Sequence, residues 1–170
     1  MSCAGATRAP VMKCGVSPMA TEKEPGRPSI VLTDAPDAEA EAVIEEGLGL
    51  FNQQKAGYRD SRPLAVLISE AAGSRVVGGL LGRTSLGLFF IDLFFVPAGI
   101  RGRGVGGLVL NKAEEEAKRR GCTAATLYTI VFQAPGFYER HGYRVLGQIE
   151  CDPPGATRVC MSKRLFPVGV

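Results

Sequence analysis

The chain has 170 residues, and its 45% hydrophobic and 22% charged residues are typical of a single folded domain. Its net charge of +3, from 20 basic and 17 acidic side chains, is too small to indicate a general nucleic-acid-binding surface. No apolar run reaches the roughly 18 residues that span a bilayer and no signal-peptide pattern occurs, so we expect a cytoplasmic protein without a membrane partner.

The five cysteines predict neither a metal site nor a disulfide framework, because their number is odd and no C-x-x-C pair occurs. A nucleophilic cysteine would need a histidine beside it, and the sequence has one histidine, His141. We interpret His141 as a residue at the end of a helix, and we predict no metal ligands.

The first third of the chain predicts a tail, a strand and a helix. Residues 1–28 lack hydrophobic periodicity and are expected to form a flexible tail, so the folded domain should span residues 29–170. Residues 29–33, Ser-Ile-Val-Leu-Thr, predict a strand. Residues 38–54 predict a helix, weakened or split by Gly47 and Gly49, whose inward face consists of Ala42, Val43, Leu48 and Phe51.

Three strands follow that helix. Residues 64–71 and 75–81 flank an Ala-Gly-Ser turn and should form a hairpin. Gly78, Gly79 and Gly82 indicate a bulge or a close backbone contact in this region. Residues 88–96 are almost continuously apolar, which predicts a central strand covered on both faces.

The stretch at residues 94–107, FFVPAGIRGRGVGG, has the features of an anion-binding site. Its small residues let a ligand approach the backbone, and the first N–H groups of the helix that follows have no helical partners. Two arginines add positive charge, so the loop suits a diphosphate. The predicted binding residues are Arg101, Gly102, Arg103, Gly104, Val105, Gly106 and Gly107.

The helix after the loop should run over residues 104–120 and end at Gly121. The predicted inward stripe consists of Val105, Leu108, Val109, Ala113 and Ala117. The charged residues are predicted to form a solvated face with three ion pairs at i,i+4 spacing, Glu114–Lys118, Glu115–Arg119 and Glu116–Arg120.

The remaining chain predicts a strand at 123–130, a short helix at 133–141, and strands at 143–150 and 157–165. The whole order is strand, helix, three strands, helix, strand, short helix and two strands. This order predicts an α+β fold with a mostly antiparallel sheet.

Two motifs resemble those of the GCN5-related N-acetyltransferase (GNAT) family. The spacing Arg101-x-x-Gly104-x-Gly106 is similar to the acetyl-CoA loop of that family, and Phe137-Tyr138 with Gly142-Tyr143 is similar to its C-terminal motif. The resemblance covers about residues 30–165. It implies a GNAT-like fold, in which a central, mostly antiparallel, twisted mixed sheet of about six to seven strands is flanked by helices. It also implies a single acetyl-CoA-dependent acyltransferase domain.

A dinucleotide fingerprint is the competing interpretation of the loop, since Gly102, Gly104 and Gly107 spell G-x-G-x-x-G. We reject it because no acidic residue follows at the required distance and too few residues remain for a doubly wound sheet. A proline-containing turn also separates the loop from the preceding strand.

The resemblance implies further contacts with the acyl donor, acetyl-CoA. The backbone of Phe94, Phe95 and Val96 would pair with the pantetheine arm like an added strand. Gln133 stands where many family members have an asparagine that contacts the cofactor, and Tyr138 would line the same cleft.

The resemblance also implies an acid and a base. Tyr138 is the predicted general acid for the departing thiolate, because tyrosine is protonated at neutral pH. Asp92 lies within an apolar strand, where desolvation would make its carboxylate a better proton acceptor, and it is the predicted general base. The alternative interpretation of Asp92 is a structural carboxylate bonded to the backbone or to an arginine. Glu70, Tyr128 and an ordered water molecule are the alternative bases.

The predicted activity is direct transfer of an acetyl group from acetyl-CoA to a primary amine of a small molecule or a protein. A non-catalytic acyl-CoA sensor and a tRNA-directed acetyltransferase toxin are the alternatives, and the toxin should need a more basic surface than this chain has. The amine acceptor is therefore the expected partner and nucleic acid is not, while a homodimer is compatible with the sequence.

Overall fold

The computed structural model describes residues 28–70, 73 and 75–166. They divide after Ala38 into two units, and every strand in these ranges belongs to the second. The elements are α1 (Ala38–Ala56), β1 (Arg62–Ser69), β2 (Val76–Ser85), β3 (Leu88–Phe95), α2 (Val105–Arg119), β4 (Ala124–Ile130), α3 (Pro135–Arg140), β5 (Arg144–Cys151) and β6 (Ala156–Arg164). The predicted flexible tail lies outside the described residues except for Pro28, so it stays a prediction.

The six strands form one mixed sheet in the order β1-β2-β3-β4-β6-β5. Every neighbouring pair is antiparallel except β3 and β4, which are parallel because α2 connects them. The core lies between one face of this sheet and the helices α2 and α3, around Leu80, Phe89, Leu110 and Met161. The predicted α+β, GNAT-like architecture is confirmed.

The predicted strand at residues 29–33 is wrong, because this segment is not paired with any described strand. Ile30 is 94% exposed and Leu32 is fully exposed. An apolar segment becomes a strand only when its backbone pairs with a neighbouring strand, so apolar composition alone does not make one.

Close contacts with both neighbouring strands, β1 and β3, explain the glycines of β2. A Cβ on Gly79, where φ is +143°, would lie 2.3 Å from the Val66 carbonyl oxygen, and one on Gly82 would lie 2.2 Å from the Phe90 carbonyl oxygen. The β2–β3 register also shifts between Leu81 and Gly82. The predicted bulge and close backbone contacts are therefore both confirmed.

Strand β3 is central, but the prediction that both of its faces are covered is wrong. Leu81 pairs with Leu93 and Gly82 with Ile91, so Asp92 is the additional residue of a bulge. A bulge interrupts the alternation of side chains, and Asp92 and Leu93 are consecutively exposed. Ile91 stays in the core, while Leu93 is 66% exposed.

Helix α1 is continuous, so the predicted split at Gly47 and Gly49 is wrong. A Cβ on Gly49 would lie 2.8 Å from Cζ of Arg59, whose guanidinium pairs with Glu46 at 2.8 Å. Gly49 thus leaves room for this side chain. The predicted inward face is also wrong, since no residue of α1 is buried and the face makes no extensive contact within the described ranges.

Helix α2 follows the prediction closely at both ends. Gly104 precedes it in the left-handed region, and Gly121, with φ of +83°, ends it. The N–H groups of Gly121 and Cys122 donate to the carbonyls of Lys118 and Ala117, which is a glycine-dependent C-terminal cap.

The sides of α2 differ from the prediction at three residues, and one of them is Leu110, which is buried although the predicted stripe did not include it. Leu108, expected in the inward stripe, is 70% exposed, whereas Glu114, expected on the solvated face, is buried. Glu114 pairs with Lys163 of β6 rather than Lys118, and Glu116 pairs with both Arg119 and Arg120.

Among the described residues, the helices lack a stretch of the length and hydrophobicity that would span a membrane.

Candidate active site

The candidate active site opens where two parallel strands part. The pairing of β3 with β4 ends at Ile91 and Leu127, although the strands continue to Phe95 and Ile130. The gap leads into a cleft of about 1100 Å³ that is bordered by the glycine loop, the start of α2 and α3. The backbone of β3 beyond Ile91 is therefore available to an extended ligand that adds to its edge.

The glycine loop presents a row of unpaired backbone donors. Gly102 and Gly104 have φ of +74° and +77°, a conformation that glycine adopts without strain. Among the described residues, no acceptor faces the N–H groups of residues 102–107, and the N–H of Leu108 is the first to bond, to Gly104. These donors and the positive end of the α2 dipole can bind an anionic group.

Arg101 is held beside this loop. Its Nε donates to the Val96 carbonyl at 2.7 Å, and its guanidinium lies 5.9 Å from the centre of the Phe95 ring. The guanidinium forms no ion pair within the described residues, so its charge is available to a ligand. Arg103 is exposed but does not line the cleft.

Gly106 and Gly107 serve the packing of α3. A Cβ on Gly106 would lie 3.2 Å from the Phe137 ring, and one on Gly107 would lie 2.9 Å from Nε2 of His141. His141 Nδ1 lies 2.8 Å from the Phe137 carbonyl, and because a carbonyl only accepts, Nδ1 carries the proton of that hydrogen bond. These glycines let α3 lie directly against the first turn of α2.

Tyr138 lies in α3 with its ring buried at the wall of the cleft. It packs edge-on against Phe137 and Tyr143, at centroid distances of 5.2 and 5.6 Å. Its hydroxyl forms no hydrogen bond with any residue that the structure describes. Burial raises the pKa of Tyr138 to about 12, so the phenol is protonated at neutral pH and can donate.

Asp92 lines the same cleft and lies on the β3 bulge. Its carboxylate pairs with Arg83 at 2.5 Å, and the Arg83 guanidinium lies 4.7 Å from the centre of the Phe90 ring. The expectation that Asp92 is desolvated is wrong, because its side chain is 45% exposed. The bulge turns the Asp92 side chain out of the core, and the negative charge of its carboxylate is balanced by the Arg83 guanidinium.

Nearly all predicted site residues line this one cleft. They are Asp92, Phe94, Phe95, Val96, Arg101, Gly102, Gly104, Gly106, Gly107, Gln133 and Tyr138. Arg103 and Val105 do not line it, and Val105 instead packs against the core. Of the alternative bases, Tyr128 lines the cleft, whereas Glu70 does not and pairs with Arg75.

Gln133 is used partly by the protein itself. Its side-chain oxygen accepts hydrogen bonds from the Ile130 N–H at 3.2 Å and the Thr129 hydroxyl at 3.4 Å. The side chain thus caps the end of β4, and its amide nitrogen is the group left for a ligand.

Sequence reasoning missed several residues of the cleft, among them Asn111, Phe132, Arg140 and His141. Asn111 and His141 come from different helices that meet only in the fold. One sign of this contact is present in the sequence, because Gly107 leaves room for the His141 imidazole. The sequence pattern instead assigns Gly107 to ligand binding.

A profile of the acetyltransferase (GNAT) family matches residues 31–143 of this chain. The acetyltransferase Atu2258 of Agrobacterium fabrum is 38% identical over 136 residues, covering 80% of this chain and 98% of its own. The blasticidin-S acetyltransferase of Streptomyces morookaense is 40% identical over 109 residues, covering 62% of this chain and 80% of its own. A crystal structure of an Agrobacterium tumefaciens protein superposes with a TM-score of 0.73, at 38% identity, over 80% of this chain and 98% of that one.

The fold is shared with a solved structure of an acetyltransferase. The chain belongs to the acetyltransferase (GNAT) family, as its sequence resemblance predicted. It is an enzyme of the N-acetyltransferase class.

Proposed function

We propose that the protein transfers an acetyl group from acetyl-CoA to a primary amine by direct attack. The observation that carries this proposal is the meeting of three features in one cleft. These are the unpaired N–H groups of the glycine loop, the open edge of β3, and the protonated hydroxyl of Tyr138.

The residues of the cleft fit acetyl-CoA. The N–H groups of residues 102–107 and the Arg101 guanidinium would hold the diphosphate, and the β3 backbone from Phe94 to Val96 would pair with the pantetheine arm. When bound, acetyl-CoA supplies the acetyl group as a thioester. Exposed N–H groups near the point where β3 leaves β4 would stabilise negative charge on the carbonyl oxygen.

Tyr138 would protonate the departing thiolate. Its pKa of about 12 keeps the phenol protonated at neutral pH and able to donate to the sulfur. A free thiol has a pKa of about 8.5, so the Tyr138 phenolate is the stronger base of the two and would regain a proton from solvent as the thiol leaves. The part of the cleft around Asp92 would receive the amine. Asp92 would attract the acceptor ammonium, with Arg83 holding the carboxylate in place, and a water molecule beside it would take the proton.

Three residues of the cleft suit a cationic amine acceptor that also has a flat or apolar portion. Asp92 supplies negative charge, and the exposed rings of Tyr128 and Phe132 supply apolar surface on the same cleft. A relative that is 40% identical is named a blasticidin-S acetyltransferase. We therefore propose an amine-bearing antibiotic of that kind as the first acceptor to test.

Calorimetric titration with acetyl-CoA, with NADH as the control ligand, tests the donor. Micromolar binding of acetyl-CoA alone is expected, and binding of NADH in its place would contradict the assignment. Release of free thiol in the presence of blasticidin S and other amines then tests the transfer.

The Tyr138→Phe variant tests the mechanism. It should lose roughly 10²–10⁴-fold in kcat, because the proton donor is gone, while its affinity for acetyl-CoA is retained. An unchanged kcat would remove Tyr138 from the mechanism, and Tyr58→Phe, at an exposed tyrosine outside the cleft, is the matched control.

A further inference from the structure

Behind Tyr138 lies a buried polar cluster that the proposed chemistry does not use. Glu114 of α2 is 4% exposed, and its Oε2 accepts a hydrogen bond from the Lys163 ammonium of β6 at 2.5 Å. The Lys163 ammonium also lies 5.7 Å from the centre of the Tyr143 ring. Helix α2, strand β6 and the turn that holds Tyr143, between α3 and β5, thus meet at one charged pair.

Two atoms of this cluster are sealed from solvent without a hydrogen-bond partner among the described residues. They are Oε1 of Glu114 and the hydroxyl of Tyr143. Burial and then the neighbouring Glu114 carboxylate raise the pKa of Tyr143, so its phenol is protonated and can donate. Both residues adjoin the Lys163 ammonium, and a buried polar atom without a partner is unfavourable, so one hydrogen bond between them would satisfy both atoms.

Tyr143 contacts Tyr138 in two ways. Its backbone N–H donates to the Tyr138 carbonyl at 3.0 Å, and its ring packs against the Tyr138 ring at 5.6 Å with an interplanar angle of 69°. A hydrogen bond that fixes the Tyr143 ring would therefore also limit the orientation of the Tyr138 ring at the cleft.

We propose that the Tyr143 hydroxyl donates a hydrogen bond to Oε1 of Glu114, and that this bond makes Tyr143 and Glu114 positioning residues for the Tyr138 hydroxyl. The proposal rests on the proposed role of Tyr138 as the acid. The buried Glu114–Lys163 pair joins α2 to β6, and Tyr143, which lies between α3 and β5, connects this pair to the Tyr138 ring.

A kinetic double-mutant cycle tests the proposal, using Tyr143→Phe, Tyr138→Phe and the double variant with acetyl-CoA and blasticidin S. Tyr143→Phe should lower kcat by about 2- to 12-fold, the loss that follows from one hydrogen bond, with an unchanged KM for acetyl-CoA. The same change in the Tyr138→Phe background should have no effect. An equal loss in both backgrounds, or a raised KM, would overturn the proposal.

A spectroscopic measurement tests it independently of any acceptor. The chain has four tyrosines, and the ¹³Cζ signals of labelled tyrosine can be assigned with the four Tyr→Phe variants. Glu114→Gln, which keeps the side-chain volume, should shift the signals of Tyr143 and Tyr138 and leave that of Tyr58 in place. An unmoved Tyr138 signal would refute the positioning role, even if Tyr138→Phe proves the acid correct.

Discussion

Gly107 offers the sharpest test of how the cleft is built. Sequence reasoning attributes it to the ligand, whereas in the structure a Cβ at this position would lie 2.9 Å from Nε2 of His141. The imidazole would have to move, and its hydrogen bond from Nδ1 to the Phe137 carbonyl at 2.8 Å would be lost or strained. We therefore predict that Gly107→Ala loosens the contact between α2 and α3.

The magnitude follows from two opposing effects. Overpacking costs about 1–3 kcal/mol and the loss of one hydrogen bond about 0.5–1.5 kcal/mol, while replacing glycine by alanine in a helix contributes about 1 kcal/mol of stability. Gly107→Ala should thus lower the free energy of unfolding by about 0.5–3.5 kcal/mol. In a His141→Ala background the collision is absent, and the same change should raise it by about 1 kcal/mol.

Urea denaturation of the four proteins of this cycle measures the effect, and acetyl-CoA calorimetry follows the site. Gly47→Ala is the matched control, because a Cβ there meets no atom within 4 Å and only the helix propensity changes. If Gly107→Ala has the same effect with and without His141, the argument from the contact is refuted.

Three further predictions concern the loop, the acid and a thiol. Gly104→Ala should weaken acetyl-CoA binding and cost about 1–2 kcal/mol of stability, since φ of Gly104 is +77° and no atom opposes a Cβ there. Gly104→Asn should cost less, because asparagine tolerates this conformation. Equal losses of the two variants in thermal unfolding would argue against backbone strain as the cause. Because Tyr138 must be protonated and its pKa is about 12, kcat measured from pH 7 to 10 should not fall on the alkaline side; a decline near pH 10 that Tyr138→Phe abolishes would contradict this. Burial raises the pKa of Cys122, which is 1% exposed, so mass spectrometry should find iodoacetamide on Cys151 and Cys160 well before Cys122.

Much of the fold was predictable from local patterns. The bounds of α2, its glycine cap at Gly121 and the hairpin of β1 and β2 follow from periodicity and turn chemistry, which act over a few neighbouring residues. The same holds for the glycine loop, whose free N–H groups are a consequence of where a helix begins.

The errors share a different origin. The sequence pattern alone did not show that Glu114 meets Lys163, 49 residues later, or that the bulge at Asp92 turns its carboxylate to solvent beside Arg83. It also assigned an inward face to α1 that stays exposed in the described residues. Each depends on partners that are distant in sequence.

The sequence by itself determined the six strands of the sheet, the helices and the glycine loop, because spacing and backbone preference act locally. Only the tertiary structure decided that β3 and β4 part after Ile91, that His141 borders the glycine loop, and that Tyr138 lies between the cleft and a buried ion pair. The physical reason is that a site is made of contacts between elements, and those contacts are settled by packing and hydrogen bonding across the sheet rather than along the chain.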